Sequence, residues 1–273
     1  MSSCNPHLGC DDDAGPAALR ARLTPQLAGL GITRVADLTD LDVVGIPVCA
    51  AIRPLSRNLA VSQGKGFSVD AAWVGAVAEA LELRAAETVA DLHPHLAGDA
   101  AIERWRPCFA GETPRSDGWV AAREWRTHTP VLVPRELVDL DLTRAPSDPR
   151  WRRTSNAMAA HPERSPALRH ALLEAVERHA VALAPTRRRE IQRLQGGRPT
   201  RAPLAALLDR LADLGLQPRL WRLSPIAGIE IVKARLPAAQ PWARPVVGAA
   251  ASLDLEDAAC RALLECVQSR VTR

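Results

Sequence analysis

One seven-residue helical phrase occurs three times along the chain, and it constrains the fold more than any other feature. The phrase reads AVAEALE at residues 76–82, ALLEAVE at 171–177 and ALLECVQ at 262–268. Its polar positions are spaced three residues apart, so each pair shares one helix face about one turn apart. The three pairs are Glu79 with Glu82, Glu174 with Glu177, and Glu265 with Gln268.

Each pair is surrounded by apolar residues, so it does not resemble a charged, fully solvated helix face. Burying a carboxylate is costly unless it is paired or holds a metal ion. Three pairs in matching frames therefore indicate helices that bring their carboxylates together, and like charges gathered at one site need cations between them. Oxygen ligands in that number favour Mg²⁺, which commonly arrives with phosphates. The alternative stays open that the phrase recurs by chance and its glutamates form salt bridges with arginines.

Composition narrows the class of protein. With 273 residues, 47% of them hydrophobic and 24% charged, the chain can build the core of one large domain or two packed halves. A net charge of +4 is too mild to indicate nucleic-acid binding. No apolar run reaches the length of a membrane span, and the acidic N-terminus does not resemble a signal peptide. With no secretion signal and no C-x-x-C pair among six cysteines, we expect a cytoplasmic protein.

The pattern of apolar residues predicts alternating helices and short strands. Helices are predicted at about 17–30, 70–87, 166–183, 203–214 and from 254 to the C-terminus. Strands are predicted within 32–39, 43–52, 59–62, 119–126, 130–133, 217–223 and 227–234, and residues 63–66 are predicted to form a turn. Residues 1–15 are predicted to be a disordered tail. This mixture predicts an α+β (mixed α/β) domain over residues 16–273.

Further motifs lie next to the glutamate phrases. Ser62-Gln-Gly-Lys-Gly66 precedes the first, where glycines let a backbone approach a ligand and Lys65 supplies a charge for phosphate. The spacing is not that of a Walker A loop. Thr154-Ser-Asn156 precedes the second phrase, and arginines flank the second and third at Arg178, Arg261 and Arg270. Salt bridges to glutamate and contacts with triphosphate oxygens are both open interpretations of these arginines.

In this order the motifs resemble those of the YcaO family. The segments that carry the resemblance are GITRVAD at 31–37, Leu41-Asp42, GIPV at 45–48, Arg53-Pro54, Ser56-Arg57, VSQGKG at 61–66, Ser155-Asn156, ExxER at 174–178 and RALLECVQSR at 261–270. The resemblance covers roughly residues 25–273. It implies a YcaO-like fold of sheets and helices, with an ATP and Mg²⁺ site in a cleft lined by the three glutamate-bearing helices.

The resemblance also implies an activity and a set of site residues. Proteins of this family use ATP to phosphorylate a peptide backbone amide oxygen, which is then eliminated as phosphate. Nucleotide contacts would come from Ser62, Lys65, Asn156, Arg178, Arg261 and Gln268. Magnesium ligands would come from Glu79, Glu82, Glu174, Glu177 and Glu265. No residue is assigned a catalytic role beyond these contacts.

Products and partners follow from the same resemblance. A Cys, Ser or Thr side chain attacks in azoline formation, and an external sulfide equivalent attacks in thioamide formation. The Gly-Ile-Pro and Ser-Gln-Gly-Lys-Gly segments are closer in sequence to those of stand-alone, TfuA-associated members. We therefore expect a precursor peptide as substrate and a TfuA-like or leader-binding protein as partner. Neither nucleic acid nor a membrane is expected as a partner, and a homodimer is an open alternative.

Several positions depart from the family pattern. Ala157 and His161 stand where glycine is usual, and His179 stands where aspartate is usual. The chain ends at Arg273, directly after the third phrase and without a Pro-rich tail. From these departures we expect a shortened C-terminus that disfavours azoline formation. They also motivate an alternative function, a non-catalytic scaffold that binds a nucleotide or a peptide.

Overall fold

The computed structural model describes residues 15–89, 115–186, 191–194, 197–240 and 242–272. Its α-helices are α1 (Pro16–Leu23), α2 (Val69–Glu87), α3 (Arg164–Leu183), α4 (Ala202–Asp213) and α5 (Leu255–Val271). Its strands are β1 (Arg34–Asp37), β2 (Val48–Ile52), β3 (Val61–Lys65), β4 (Trp119–Arg123), β5 (Pro130–Pro134), β6 (Gln192–Arg193), β7 (Arg219–Ile226), β8 (Ile229–Leu236) and β9 (Val246–Ser252). Helices combined with three antiparallel sheets confirm the predicted α+β class.

The predicted N-terminal tail lies outside the described residues, apart from Gly15 at the start of α1. None of the helices in the described ranges is long and apolar enough to cross a bilayer. The helix predicted at 17–30 is wrong in its second half. The α-helix ends at Leu23 and a 3-10 turn follows at Thr24–Gln26, because Pro25 has no N–H to continue the α-helical hydrogen bonds.

The first layer is the antiparallel sheet β1-β2-β3, which packs against α2. This helix starts as predicted, because the Ser68 hydroxyl accepts a hydrogen bond from the Ala71 N–H at 3.2 Å. A Cβ atom added to Gly64 would lie 2.1 Å from the carbonyl oxygen of Ala72. The missing side chain of Gly64 therefore lets α2 approach β3 at backbone distance.

The turn predicted at residues 63–66 is wrong. Residues Val61–Lys65 form β3, which pairs with β2 in a continuous register that places Gly64 opposite Cys49. The glycine is needed for close packing and not for a reversal of the chain. Since successive side chains of a strand point to opposite faces, Ser62 and Gly64 face α2 while Gln63 and Lys65 face away from it.

The second layer is the antiparallel sheet β6-β7-β8-β9, which lies between helices. The side chains of Val232 and Ala250 pack in the core that α5 and α4 share, and their strand neighbours Ile231 and Ala251 pack with Ala180 of α3. The alternation places α3 on one face of the sheet and α5 on the other. Helix α5 also contacts β3, so β3 lies between α2 and α5.

Strand β9 is an element that the sequence did not predict. Its sequence, VVGAAAS, is rich in glycine and alanine and carries a weak strand signal. A Cβ atom on Gly248 would lie 2.2 Å from the carbonyl oxygen of Ala262. Small residues are therefore required where α5 crosses β9, as Gly64 is required where α2 crosses β3.

Candidate functional site

The first and third glutamate helices both contact β3. The Lys65 ammonium pairs with the Glu265 carboxylate and donates to Gln268 Oε1 at 2.9 Å. The amide of Gln268 in turn donates to Gln63 Oε1 at 3.0 Å. The two outward-facing side chains of β3 therefore bind the polar pair that the third phrase carries on α5.

Glu79 on α2 is held at the other side of the same strand. Its Oε2 accepts a hydrogen bond from the backbone N–H of Gln63 at 2.6 Å. Burial is the largest influence and raises the pKa of Glu79, while the Gln63 N–H and Lys65 lower it. The charges of Glu265 and Glu174 raise this pKa further. The carboxylates of all three helices are thus close enough to repel one another.

Glu82, one turn along α2, reaches the segment that precedes α3. Its Oε1 accepts a hydrogen bond from the backbone N–H of Ala160 at 2.7 Å. Burial raises the pKa of Glu82 to about 7, and the Ala160 N–H opposes this while the charges of Glu79 and Glu174 reinforce it. A carboxyl group with such a pKa lacks a compensating positive charge.

Glu174 on α3 binds the turn that carries the Ser155-Asn156 motif. Its Oε2 accepts a hydrogen bond from the backbone N–H of Ala157 at 3.2 Å, and its Oε1 lies 3.4 Å from Arg178. Ala157 has a φ of 63°, a left-handed conformation that favours glycine. Asn156 is exposed on this turn, directly before Ala157 in sequence. This hydrogen bond therefore joins the turn to the second glutamate helix.

Glu177 is the most buried of the five glutamates, at 9% exposure. Its Oε1 lies 3.6 Å from the exposed guanidinium of Arg178. Burial raises the pKa of Glu177 to about 7, although Arg178 lowers it. The charges of Glu265 and Glu174 raise the same pKa, and Arg261 lowers it. Side chains of α5 therefore lie within electrostatic range of Glu177, and the glutamates of the three helices form one acidic group, called the acidic cleft below.

Sequence reasoning missed His170, which precedes Glu174 by one turn on the same helix face. His170 is exposed to solvent. Partial burial of its imidazole is the largest cause that lowers the pKa of His170 to about 4. The charges of Arg261 and Lys65 lower it further, while Glu265 opposes them. The spacing of four residues before Glu174 is a signal that could have identified this neutral imidazole at the cleft.

Two candidate residues lie away from the acidic cleft. Ser62 is 3% exposed and faces α2, so β3 places its hydroxyl on the opposite face from Lys65. Arg270 is buried and forms two hydrogen bonds of 2.9 Å with the carboxylate of Asp42. Arg270 therefore forms a salt bridge, with an aspartate in place of the glutamate that the sequence suggested. Arg261 instead stays at the cleft, where it donates to the carbonyl oxygen of Ala251 at 3.2 Å.

The carboxylate oxygens of these glutamates suit a hard cation that also keeps water or phosphate ligands. Across the described residues, no three His, Cys, Asp or Glu side chains approach closely enough to hold a metal ion by themselves. The carboxylates bind backbone N–H groups and protein cations instead, and two of them have pKa values near 7. Magnesium usually keeps several water or phosphate ligands and takes only one or two carboxylates, so these residues fit it.

A family model agrees with the residues that form this cleft. The model of the family described as YcaO cyclodehydratase, ATP- and Mg²⁺-binding, matches residues 63–273. The chain belongs to the YcaO family. The match spans all three glutamate helices of this YcaO protein, which confirms the resemblance and the family-level link to ATP and Mg²⁺.

Relatives of this YcaO protein include an uncharacterized protein in the tfuA 3′ region of Rhizobium leguminosarum bv. trifolii. It is 34% identical over 94% of this chain, and the chain spans 66% of that relative's length. The structure of YcaO from Methanopyrus kandleri bound with AMPPCP and Mg²⁺ superposes with a TM-score of 0.76 at 26% identity, covering 94% of this chain and 67% of that one. The E. coli microcin synthetase McbBCD complex shares the fold, with a TM-score of 0.65 at 17% identity over 87% of this chain and 64% of that one.

Proposed function

We propose that this YcaO protein uses ATP and Mg²⁺ to phosphorylate a backbone amide oxygen of a precursor peptide. The observation that carries the proposal is that glutamates from three helices lie close enough for their charges to act on one another. The burial of Glu79 and its repulsion by Glu174 and Glu265 leave negative charge that a divalent cation would neutralise. The Methanopyrus relative, bound with AMPPCP and Mg²⁺, supports the choice of ligand.

In this proposal the five glutamates hold Mg²⁺, one or two of them directly and the others through its water or phosphate ligands, and the basic residues hold the nucleotide. Glu79 and Glu82 contribute from α2, Glu174 and Glu177 from α3, and Glu265 from α5. The nucleotide contacts are Lys65, Asn156, Arg178, Arg261 and Gln268, with Ser62 contributing only through its strand, because its hydroxyl faces α2. Magnesium would neutralise phosphate charge during transfer. Phosphoryl transfer depends mainly on such positioning and charge neutralisation, which the residues of this cleft can provide.

The proposed chemistry converts an amide oxygen into a phosphate that can leave. Attack by a Cys, Ser or Thr side chain of the peptide would then close an azoline, and attack by an external sulfide equivalent would form a thioamide. We favour the thioamide product and a TfuA-like partner, because the Rhizobium relative lies in a tfuA 3′ region.

The direct test is calorimetric binding of a non-hydrolysable ATP analogue with and without Mg²⁺. Glu174→Gln keeps the side-chain volume but removes the charge, so it should weaken Mg²⁺-dependent nucleotide binding at least about tenfold. Glu163→Gln is the matched control, because Glu163 is exposed at the start of the same helix and its side chain makes no capping hydrogen bond. If wild-type protein fails to bind the analogue with Mg²⁺, the proposal is wrong.

A scaffold that binds nucleotide or peptide without turnover is the second candidate function. One observation favours it. The third phrase ends in Gln268 and not in a glutamate, and this amide is committed to hydrogen bonds with Lys65 and Gln63. Release of phosphate in the presence of a precursor peptide would separate the two functions. Turnover supports the enzyme, whereas tight nucleotide binding with no phosphate release under any peptide supports the scaffold.

A further inference from the structure

The feature that leads to a further inference is the choice of lysine at position 65. The chain holds 35 lysine and arginine residues together, and only Lys65 and Lys233 are lysines. A lysine ammonium is a compact point charge with three donors, whereas arginine is a planar fork suited to two-pronged contacts. At position 65 the chain therefore carries a small cation, whereas almost all of its other basic residues are arginines.

The surroundings of this ammonium are those of a small cation site. Its ligands are a carboxylate oxygen of Glu265 and the amide oxygen of Gln268, both on α5. The Lys65 side chain is largely enclosed, since only 22% of it is exposed. The Gln268 amide is fixed by its bond to Gln63 on the same strand, so its oxygen stays turned towards Lys65.

We propose that the Lys65 ammonium occupies the α5 side of the Mg²⁺ and nucleotide site, in place of a metal cation, until a nucleotide binds. It makes the protein select Mg²⁺ that comes with a nucleotide over free Mg²⁺. This inference rests on the proposed nucleotide function. Lys65 is in this role a residue that determines specificity, in addition to any contact it makes with phosphate.

The selection follows from what each ligand offers to the ammonium. A free divalent cation that approaches Glu265 is repelled by Lys65. If the ammonium moved away from Glu265, this cation would offer it no new partner. A nucleotide brings phosphate oxygens, so Lys65 can exchange the carboxylate for phosphate and release Glu265 to the cation. Like charges a few ångströms apart in a partly enclosed cleft interact strongly enough to produce a large preference.

Binding of Mn²⁺, a spectroscopic substitute for Mg²⁺, tests this directly, because electron paramagnetic resonance reports the free ion. Lys65→Met removes the charge and keeps much of the length of the side chain. We expect this variant to bind free Mn²⁺ at least about tenfold more tightly than the wild type, and to bind the Mn²⁺ complex of a non-hydrolysable ATP analogue more weakly. Opposite changes in the two affinities are not expected of a merely structural lysine.

Two controls isolate the charge at this position. Lys65→Arg keeps a cation on β3 and should continue to exclude free Mn²⁺, within about threefold of the wild type. Lys233→Met removes the chain's other lysine, on β8, and should leave both affinities unchanged. Circular dichroism checks the folding of each variant, and Lys65→Gln replaces Lys65→Met if that protein does not fold.

The outcomes separate this inference from the function on which it rests. If the wild type binds the nucleotide complex but the charge-removing variant binds free Mn²⁺ no more tightly, the inference is overturned and the proposed function stands. If neither protein binds Mn²⁺ with or without the analogue, the proposed function fails and the inference fails with it. Tighter free Mn²⁺ binding together with weaker binding of the complex supports both.

Discussion

Arg270 and Asp42 form a buried ion pair in which two guanidinium nitrogens each lie 2.9 Å from a carboxylate oxygen. Their side chains are 3% and 2% exposed, and the two residues are 228 positions apart in sequence. The pair ties α5 to the segment that leads into β2. It therefore holds the third glutamate helix against the layer that contains β3.

Breaking this pair should destabilise the fold without removing a ligand from the cleft. Asp42→Ala leaves a buried guanidinium without its carboxylate, which costs about 3–5 kcal/mol in comparable pairs. Urea denaturation would measure the loss in the free energy of unfolding. Asp40→Ala, at an exposed neighbouring position, should change it by less than about 0.5 kcal/mol. A loss as small as that in Asp42→Ala would contradict a structural role for Arg270.

Gly64→Ala should damage both stability and the cleft. The new Cβ would meet backbone atoms of α2 at 2.1 Å and 2.2 Å, and backbone cannot move aside as a flexible side chain can. The helix must shift away from β3, at a cost of about 1–3 kcal/mol or more. That shift also moves Glu79 away from the Gln63 N–H, so nucleotide affinity should fall in the folded fraction.

Thermal unfolding and nucleotide titration together would check the glycine prediction. Gly29→Ala is the matched control, since its Cβ would lie 3.5 Å from the nearest atom, an ordinary contact. The two variants add the same methyl group. Equal stability of the two proteins would show that α2 does not pack on β3 as closely as described.

Ala157→Gly should stabilise the protein. The φ of 63° at Ala157 costs an alanine about 1–2 kcal/mol relative to ordinary conformations, and glycine avoids this cost. Glycine increases the entropy of the unfolded chain, which offsets about 0.4–1 kcal/mol. A net gain of about 0.5–1 kcal/mol is expected in chemical denaturation, with the hydrogen bond from N–H 157 to Glu174 retained.

The control for this change is Ala160→Gly, three residues later in the same segment. Ala160 is not among the residues with positive φ, and its N–H likewise binds a carboxylate, that of Glu82. Glycine should therefore destabilise there, because only the unfolded-state entropy changes. The same sign of effect at both positions would refute the explanation by backbone conformation.

The acidic cleft should make the stability of the ligand-free protein fall as pH rises from about 4.5 to 7. The pKa of Glu177 is raised to about 7 by burial and by the charges of Glu265 and Glu174, although Arg178 and Arg261 lower it. The folded state therefore holds a proton that the unfolded state has already released in this range. Such a group stabilises the fold below its unfolded pKa, and this contribution is lost as pH passes through 7.

Glu177→Gln should flatten this part of the pH profile, because glutamine carries no titrating proton. Urea denaturation at several pH values between 4 and 8 would measure it, with Glu163→Gln as the exposed control on the same helix. Added Mg²⁺ and nucleotide should reverse the trend, since cation binding to carboxylates strengthens as their protons leave. An unchanged slope in Glu177→Gln would show that this carboxyl group is not the source.

Local signals in the sequence predicted most helices and strands. Ser68 before α2, Asp254 before α5 and Gly215 after α4 are residues whose conformations or side chains act within a few positions of themselves. The errors at residues 63–66 and in β9 share one cause. Gly64 and Gly248 are small because a helix crosses each strand at backbone distance, and that requirement comes from distant residues.

The candidate site divides in the same way. The motifs beside the glutamate pairs singled out Lys65 and Arg261, and helical spacing alone placed the paired glutamates on one face of each helix. It did not reveal that Glu79 and Glu82 bind the backbone N–H groups of Gln63 and Ala160. Main-chain partners leave no side-chain pattern in the sequence, and His170 was overlooked because its importance depends on which residues face it.

The sequence by itself determined that three helices each present a polar pair on one face, since periodicity of about 3.6 residues fixes that locally. Only the tertiary structure decided that Arg270 pairs with Asp42, that Arg261 stays at the cleft, and that Lys65 meets Glu265. Lys65 and Glu265 are 200 positions apart, and no local spacing relates them. Their contact depends on how α5 packs across β3, which is settled by the burial of the two layers' apolar faces.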